Sequence, residues 1–147
     1  MIAVDTQILV YSQREDSSWH HKAVACVRQL AEGRSPWAIP WPCVHEFVAV
    51  VTHPRIYKPP TPSEHALLQV EYWMASPTLR LIGEPAGYWE RLKPLVNEGQ
   101  AFGPRVHDAR VAAICLGHGV RELWSVDRDF TRFAGLRVRN PLVSSGA

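Results

Sequence analysis

Short apolar runs alternate along this chain with longer segments of helical periodicity, and that alternation leaves few architectures open. Ile2-Ala3-Val4, Trp37-Ala38-Ile39, Leu79 to Ile82, Leu123 to Val126 and Leu136 to Val138 read as strands. Between them, one or two helical turns are expected over Ile8 to Gln13. A helix capped by Ser18 then runs through Ala23, Val27, Leu30 and Ala31 and closes at Gly33. Pro42 opens a nearly apolar helix in which Val44, Phe47, Val48 and Val51 share one face until Pro54 stops it. Thr61-Pro62-Ser63-Glu64 has the form of a capping box with Pro at the first helical position, so a helix is predicted from there to Ser76-Pro77. Tyr88 to Glu98 is expected to be a helix that Pro94 kinks or divides. Pro104 opens a last helix to Leu116, ended by Gly117-His118-Gly119. Strands joined through helices imply an α/β fold with a parallel sheet.

The length of 147 residues and the 46% hydrophobic content suit one domain spanning 1–147. Apolar stretches such as Phe47 to Val51 fall far short of the roughly 20 residues that cross a bilayer. The chain opens on a strand pattern rather than a charged and apolar leader, which predicts a cytoplasmic protein. Cys26, Cys43 and Cys115 lie in apolar helical patterns without CxxC spacing and are expected to be reduced core residues. The net charge of +2 does not announce a polyanion partner. Thirteen of the sixteen basic residues are Arg, however, and seven of those fall in the last third, against four acids there. Two readings stay open for that bias: genome composition, or phosphate contacts.

In open parallel sheets ligands bind beyond the carboxyl ends of strands, so the residues that terminate the apolar runs are the ones to inspect. Asp5 ends the first run and Asp127 follows Leu123 to Val126, in a chain with only five Asp. Asp108 shares a helical face with Val111, Ala112 and Cys115. Glu46 is the sole acid of the apolar helix, where a buried, unpaired charge would be costly. A shared cation would satisfy all four. Carboxylate oxygens without Cys or converging His suit Mg²⁺ or Mn²⁺, and metal-activated water then makes phosphodiester hydrolysis the expected reaction. Each acid also has a plainer reading: Asp108 as a first-turn acid favoured by the helix dipole, Asp127 as an N-cap, Glu46 as an ion-pair partner of a nearby Arg. Asp129 competes with Asp127.

The segments Met1-Ile2-Ala3-Val4-Asp5-Thr6, Trp41-Pro42-Cys43-Val44-His45-Glu46-Phe47, Val106-His107-Asp108-Ala109-Arg110-Val111-Ala112-Ala113 and Ser125-Val126-Asp127-Arg128-Asp129-Phe130 resemble the PIN-domain family, in particular VapC-type toxins of bacterial toxin–antitoxin pairs. The similarity extends over essentially the whole chain. It implies a three-layer α/β/α sandwich with a central, mainly parallel sheet, an Mg²⁺- or Mn²⁺-dependent endoribonuclease, an antitoxin partner and a homodimer. Carried over by motif, Asp5 and Asp108 would be the principal metal ligands, with Glu46 and Asp127 binding through water or completing the shell. Ser125 would orient Asp127, and Thr6 and Asp129 would stand in reserve. Gln7 departs from the Asn the family commonly carries there, and Ser125 from its Thr. Arg105, Arg110 and Arg128 are candidates for RNA phosphate contacts.

Other readings fit less of the chain. His45-Glu46 has no second His four residues on, so the zinc protease motif fails. A phosphatase with an Asp nucleophile needs a second Asp where Gln7 stands. A nuclease of RNA processing outside any toxin pair is the nearest alternative. An inert nucleic-acid or protein-binding module would leave the acids merely structural. Trp37, Trp41, Trp73, Trp89 and Trp124 sit in apolar patterns and are expected in the core rather than stacked on bases.

Overall fold

A computed structural model describes residues 1–143; residues 144–147 of the expected domain lie outside the described residues. In chain order the elements are β1 (Ile2–Val4), α1 (Thr6–Gln13), α2 (His20–Glu32), β2 (Trp37–Pro40), α3 (Trp41–Val51), α4 (Ser63–Met74), β3 (Leu79–Ile82), α5 (Tyr88–Glu98), α6 (Arg105–Gly117), β4 (Glu122–Trp124), a 3-10 turn at Arg128–Arg132, and β5 (Arg137–Arg139). The five strands form one sheet in the order β3-β2-β1-β4-β5, and every pairing is parallel.

Right-handed crossovers determine the layers. The path β1 to β2 to β3 moves one way across the sheet and puts α1 to α4 on one face, where α1 packs on α2 and α3, and α3 on α4. The return from β3 past β1 to β4 puts α5 and α6 on the opposite face, packed on each other. The result is the expected three-layer α/β/α sandwich. Covered on both sides, β2 is buried along its whole length, whereas the edge strand β5 alternates exposed Arg137 and Arg139 around Val138. Charged edges of this kind discourage pairing with another chain. The buried residues form one cluster that includes Ile8, Ile39, Phe47, Ile114, Leu123 and Phe130.

Several local expectations are corrected. Ser18 does not cap α2; the helix starts at His20, and the Trp19 N–H turns back to Ser17 Oγ at 3.1 Å. The Thr61 capping box does not form either, because α4 starts at Ser63 with Pro62 at the cap position and no side-chain cap bond. Thr61 is buried and committed to tertiary contacts: its hydroxyl donates to Gln13 Oε1 at 3.0 Å and accepts from Arg14 Nη1 at 3.2 Å. The helix containing Pro94 runs unbroken from Tyr88 to Glu98. Strand β4 stops at Trp124, so Ser125, Val126 and Asp127 lie beyond it, and α1 begins directly after Asp5. Trp37, Trp73 and Trp124 are buried as expected, but Trp41 and Trp89 are exposed at 40% and 63%.

Candidate active site

The strand order changes direction at β1, whose neighbours β2 and β4 send the chain to opposite faces, and such a point leaves a crevice beyond the carboxyl ends of the strands. A pocket of about 690 Å³ opens there, lined by Asp5, Thr6 and Gln7 after β1, by Pro42, His45, Glu46 and Ala49 of α3, by His107, Asp108, Arg110 and Val111 of α6, and by Val126, Asp127 and Phe130 after β4. Four acids separated by up to 122 positions in the chain (5 to 127) thus share one concavity.

Asp5 sits at the N-cap position of α1 yet makes no side-chain cap bond. Its N–H extends the β1–β4 ladder to the Trp124 carbonyl at 2.9 Å, which fixes the backbone and leaves the carboxylate directed at its neighbours. Oδ2 accepts from Ser125 Oγ at 2.7 Å, and Oδ1 from the Cys43 thiol at 3.5 Å. Burial pushes the Asp5 carboxyl up from 3.8 to about 6; the Ser125 hydrogen bond opposes this, and the charge of Glu46 adds to it. Burial, reinforced by the charge of Asp5, also raises Cys43 well above an ordinary thiol, which keeps it a protonated donor.

Ser125 connects two acids. Its buried hydroxyl donates to Asp5 and accepts the Asp127 N–H at 3.0 Å. Asp127 divides its own oxygens: Oδ1 accepts the Asp129 N–H at 2.9 Å and caps the 3-10 turn, and Oδ2 accepts from Arg105 Nη1 at 3.2 Å. The N-cap reading and the pocket reading of Asp127 therefore hold together. Asp108, in the first turn of α6, accepts from the same Nη1 at 3.0 Å. Partial burial raises its pKa; the Arg105 hydrogen bond works against this, and the nearby Asp127 charge adds to it. Asp129 pairs with Arg105 and, at 3.6 Å, with Arg132.

Other candidates stand differently from expectation. Glu46 lines the pocket but is exposed, so the argument from a buried unpaired charge does not apply to it; only the Cys43, Val44, Phe47 and Val51 face of α3 is buried. The Thr6 hydroxyl is buried without a hydrogen-bond partner among the described residues. No hydrogen bond joins Gln7 to Asp5 among them. Of the three Arg proposed for phosphate, Arg105 is paired with acids and Arg110 with Glu84 at 2.6 Å, while Arg128 is exposed without an ion pair among the described residues. Sequence reasoning missed Cys43 as a donor to Asp5 and Arg105 as the fork among the acids. The Cys43–Asp5 contact spans 38 positions and the Arg105–Asp127 contact 22, without a local pattern; the i,i+3 spacing of Arg105 and Asp108 is the one local signal of the fork.

As the side chains stand, no three His, Cys, Asp or Glu among the described residues are arranged to hold a metal ion. The donor chemistry nevertheless fits a hard divalent cation: Asp5, Glu46, Asp108 and Asp127 offer oxygen, and the Cys43 thiol beside them is protonated. Among the described residues no helix is long and apolar enough to cross a membrane.

No family model matches the chain. Ribonuclease VapC48 of Mycobacterium tuberculosis is 32% identical over 137 residues, covering 93% of this chain and 94% of that protein. Among solved structures, Mycobacterium tuberculosis VapC20, described as a Sarcin-Ricin loop cleaving toxin, superposes with a TM-score of 0.65 at 18% identity, covering 93% of this chain and 99% of that one. A toxin-antitoxin complex from Klebsiella pneumoniae contains a chain that matches with a TM-score of 0.61 at 21% identity, over 96% and 98% of the two chains. The structural likenesses carry the sandwich fold. The sequence relationship, nearly end to end in both partners, carries the family: the chain belongs to the VapC ribonucleases, the PIN-domain toxins of toxin–antitoxin systems.

Proposed function

We propose that this chain is a Mg²⁺-dependent endoribonuclease, with Mn²⁺ as an alternative ion, and the toxin half of a cytoplasmic toxin–antitoxin pair. The observation that carries the reading is the convergence of Asp5, Glu46, Asp108 and Asp127 on one pocket at the carboxyl ends of the strands. In this reading Asp5 and Asp108 hold the ion, with Asp127 and Glu46 completing its surroundings directly or through water. Ser125 keeps Asp5 and the Asp127 backbone in register with each other. When bound, such an ion would make a coordinated water more acidic than bulk water and supply positive charge to offset the phosphate. Val126 and Phe130 contribute apolar surface to the pocket wall.

RNA as substrate and an antitoxin as partner are extended to this chain from the family. The same extension makes it a homodimer. Leu67, Leu68, Tyr72 and Met74, exposed on α4, are apolar surface that an assembly would cover. Incubation of total RNA with the purified protein, followed by 5′-end mapping, tests the central claim. Site-specific cleavage that needs Mg²⁺, stops with a chelator and is lost in folded Asp5→Ala and Asp108→Ala is the expected result. Equal cleavage by wild type and both variants would expose a contaminating nuclease and overturn it.

A further inference from the structure

The fork of Arg105 occupies the acidic cluster in an unusual way. Nη1 bridges Asp108 Oδ2 at 3.0 Å and Asp127 Oδ2 at 3.2 Å, and Nη2 reaches Asp129. One oxygen of Asp127 accepts the Asp129 N–H, and Arg105 holds the other. Asp5 is deeper, tied to Ser125 and Cys43, and does not meet the guanidinium. An arginine cannot lose its charge in a protein, but it is a single positive charge spread over a plane. A magnesium ion carries twice that charge and draws oxygens to about 2.0–2.1 Å, closer than any nitrogen donor comes. A cation drawn to the Asp108 and Asp127 oxygens that Arg105 now holds would compete with the guanidinium for them.

We propose that Arg105 is the exchangeable counter-cation of this pocket, displaced from the Asp108 and Asp127 oxygens when a divalent ion binds there and turned toward Asp129. The inference rests on the metal-dependent reading above and deepens it. In the metal-free protein the guanidinium offsets repulsion among the acids gathered at the start of α6 and the 3-10 turn. Its side chain is 39% exposed, so the contacts are solvent-screened and can be exchanged without opening the core.

The opposite view makes Arg105 a clamp that holds the acids in place for the metal, and the two views differ in sign. Mn²⁺ binding to the full chain, without RNA, is measured by calorimetry and by the loss of free-ion paramagnetic resonance for wild type, Arg105→Gln and Arg105→Lys. Exchange predicts that Arg105→Gln binds Mn²⁺ about three- to tenfold more tightly, the range expected for removing a screened competing charge. Arg105→Lys, which keeps one charge and loses the fork, shifts the same way by less, and it decides the matter if the Gln variant does not fold. Unchanged or weaker Mn²⁺ affinity in a folded variant overturns the exchange and leaves the nuclease reading standing. Absence of Mn²⁺ binding in wild type and variants alike overturns both.

Discussion

Asp5 titrates near 3.8 when unfolded and near 6 in the folded chain, chiefly because burial disfavours its charged form. Between those values the folded state binds more protons than the unfolded one, so stability falls as pH rises through the window and stays lower above it. The difference corresponds to about 3 kcal/mol at neutral pH in the metal-free protein. Asp5→Asn removes the charge and keeps an oxygen for Ser125, although its new amide N–H groups need partners. We expect it to stabilise the metal-free protein by about 1–2 kcal/mol at pH 7.5 and to flatten the pH dependence between 4 and 6. Urea melts across that range measure both, and an Asp5→Asn protein less stable than wild type at pH 7.5 would contradict the burial argument. That Asp5 and Asp127 face one pocket was readable from their positions after apolar runs. The local contact of Ser125 with Asp127 was readable too, but the contacts of Cys43 and Ser125 with Asp5 and of Arg105 with Asp127 arise through the tertiary fold.

At the scale of elements, periodicity located the helices and strands, and Gly33, Pro42 and Pro104 marked helix ends correctly, whereas hydroxyl-cap patterns misplaced the starts of α2 and α4. Thr61 shows why. A hydroxyl three positions before Glu64 satisfies the capping pattern, but a nearby tertiary partner competes for the same oxygen, and the sequence does not show which wins. Here the end of α1 wins, and the Thr61 N–H also binds the Val51 carbonyl at 2.8 Å, so one residue ties the ends of α1 and α3 to the start of α4. Thr61→Val strands the Gln13 and Arg14 partners and is expected to cost about 1–2 kcal/mol. Glu64→Gln, which would matter in a working capping box, is expected to change stability by less than about 0.5 kcal/mol. Chemical denaturation of the two variants side by side checks the assignment; a reversed order would restore Thr61 as the cap. Pro94 teaches a related lesson, since α5 continues through a residue that lacks the helical N–H donor.

For the whole molecule, the parallel order β3-β2-β1-β4-β5 gathers acids from the beginning, middle and end of the chain at one edge, where burial of the charged Asp5 works against folding. The net charge of +2 does not reveal such a local excess, because the Arg residues that balance it lie partly elsewhere, as on the edge strand β5. An ion that binds only the assembled pocket must stabilise the fold by linkage. At about 100 times its dissociation constant the gain is about 2.7 kcal/mol, which for a chain of this size amounts to roughly 5–10 °C in Tm. Mg²⁺ titrated against KCl of matched ionic strength separates site binding from general screening of the acids. Wild type is expected to rise with Mg²⁺ and not with KCl. Asp108→Asn is expected to lose most of the rise, and Asp5→Asn to start from a higher metal-free Tm and gain little. A wild-type Tm indifferent to Mg²⁺ and Mn²⁺ would mean that the four acids share a pocket without sharing an ion.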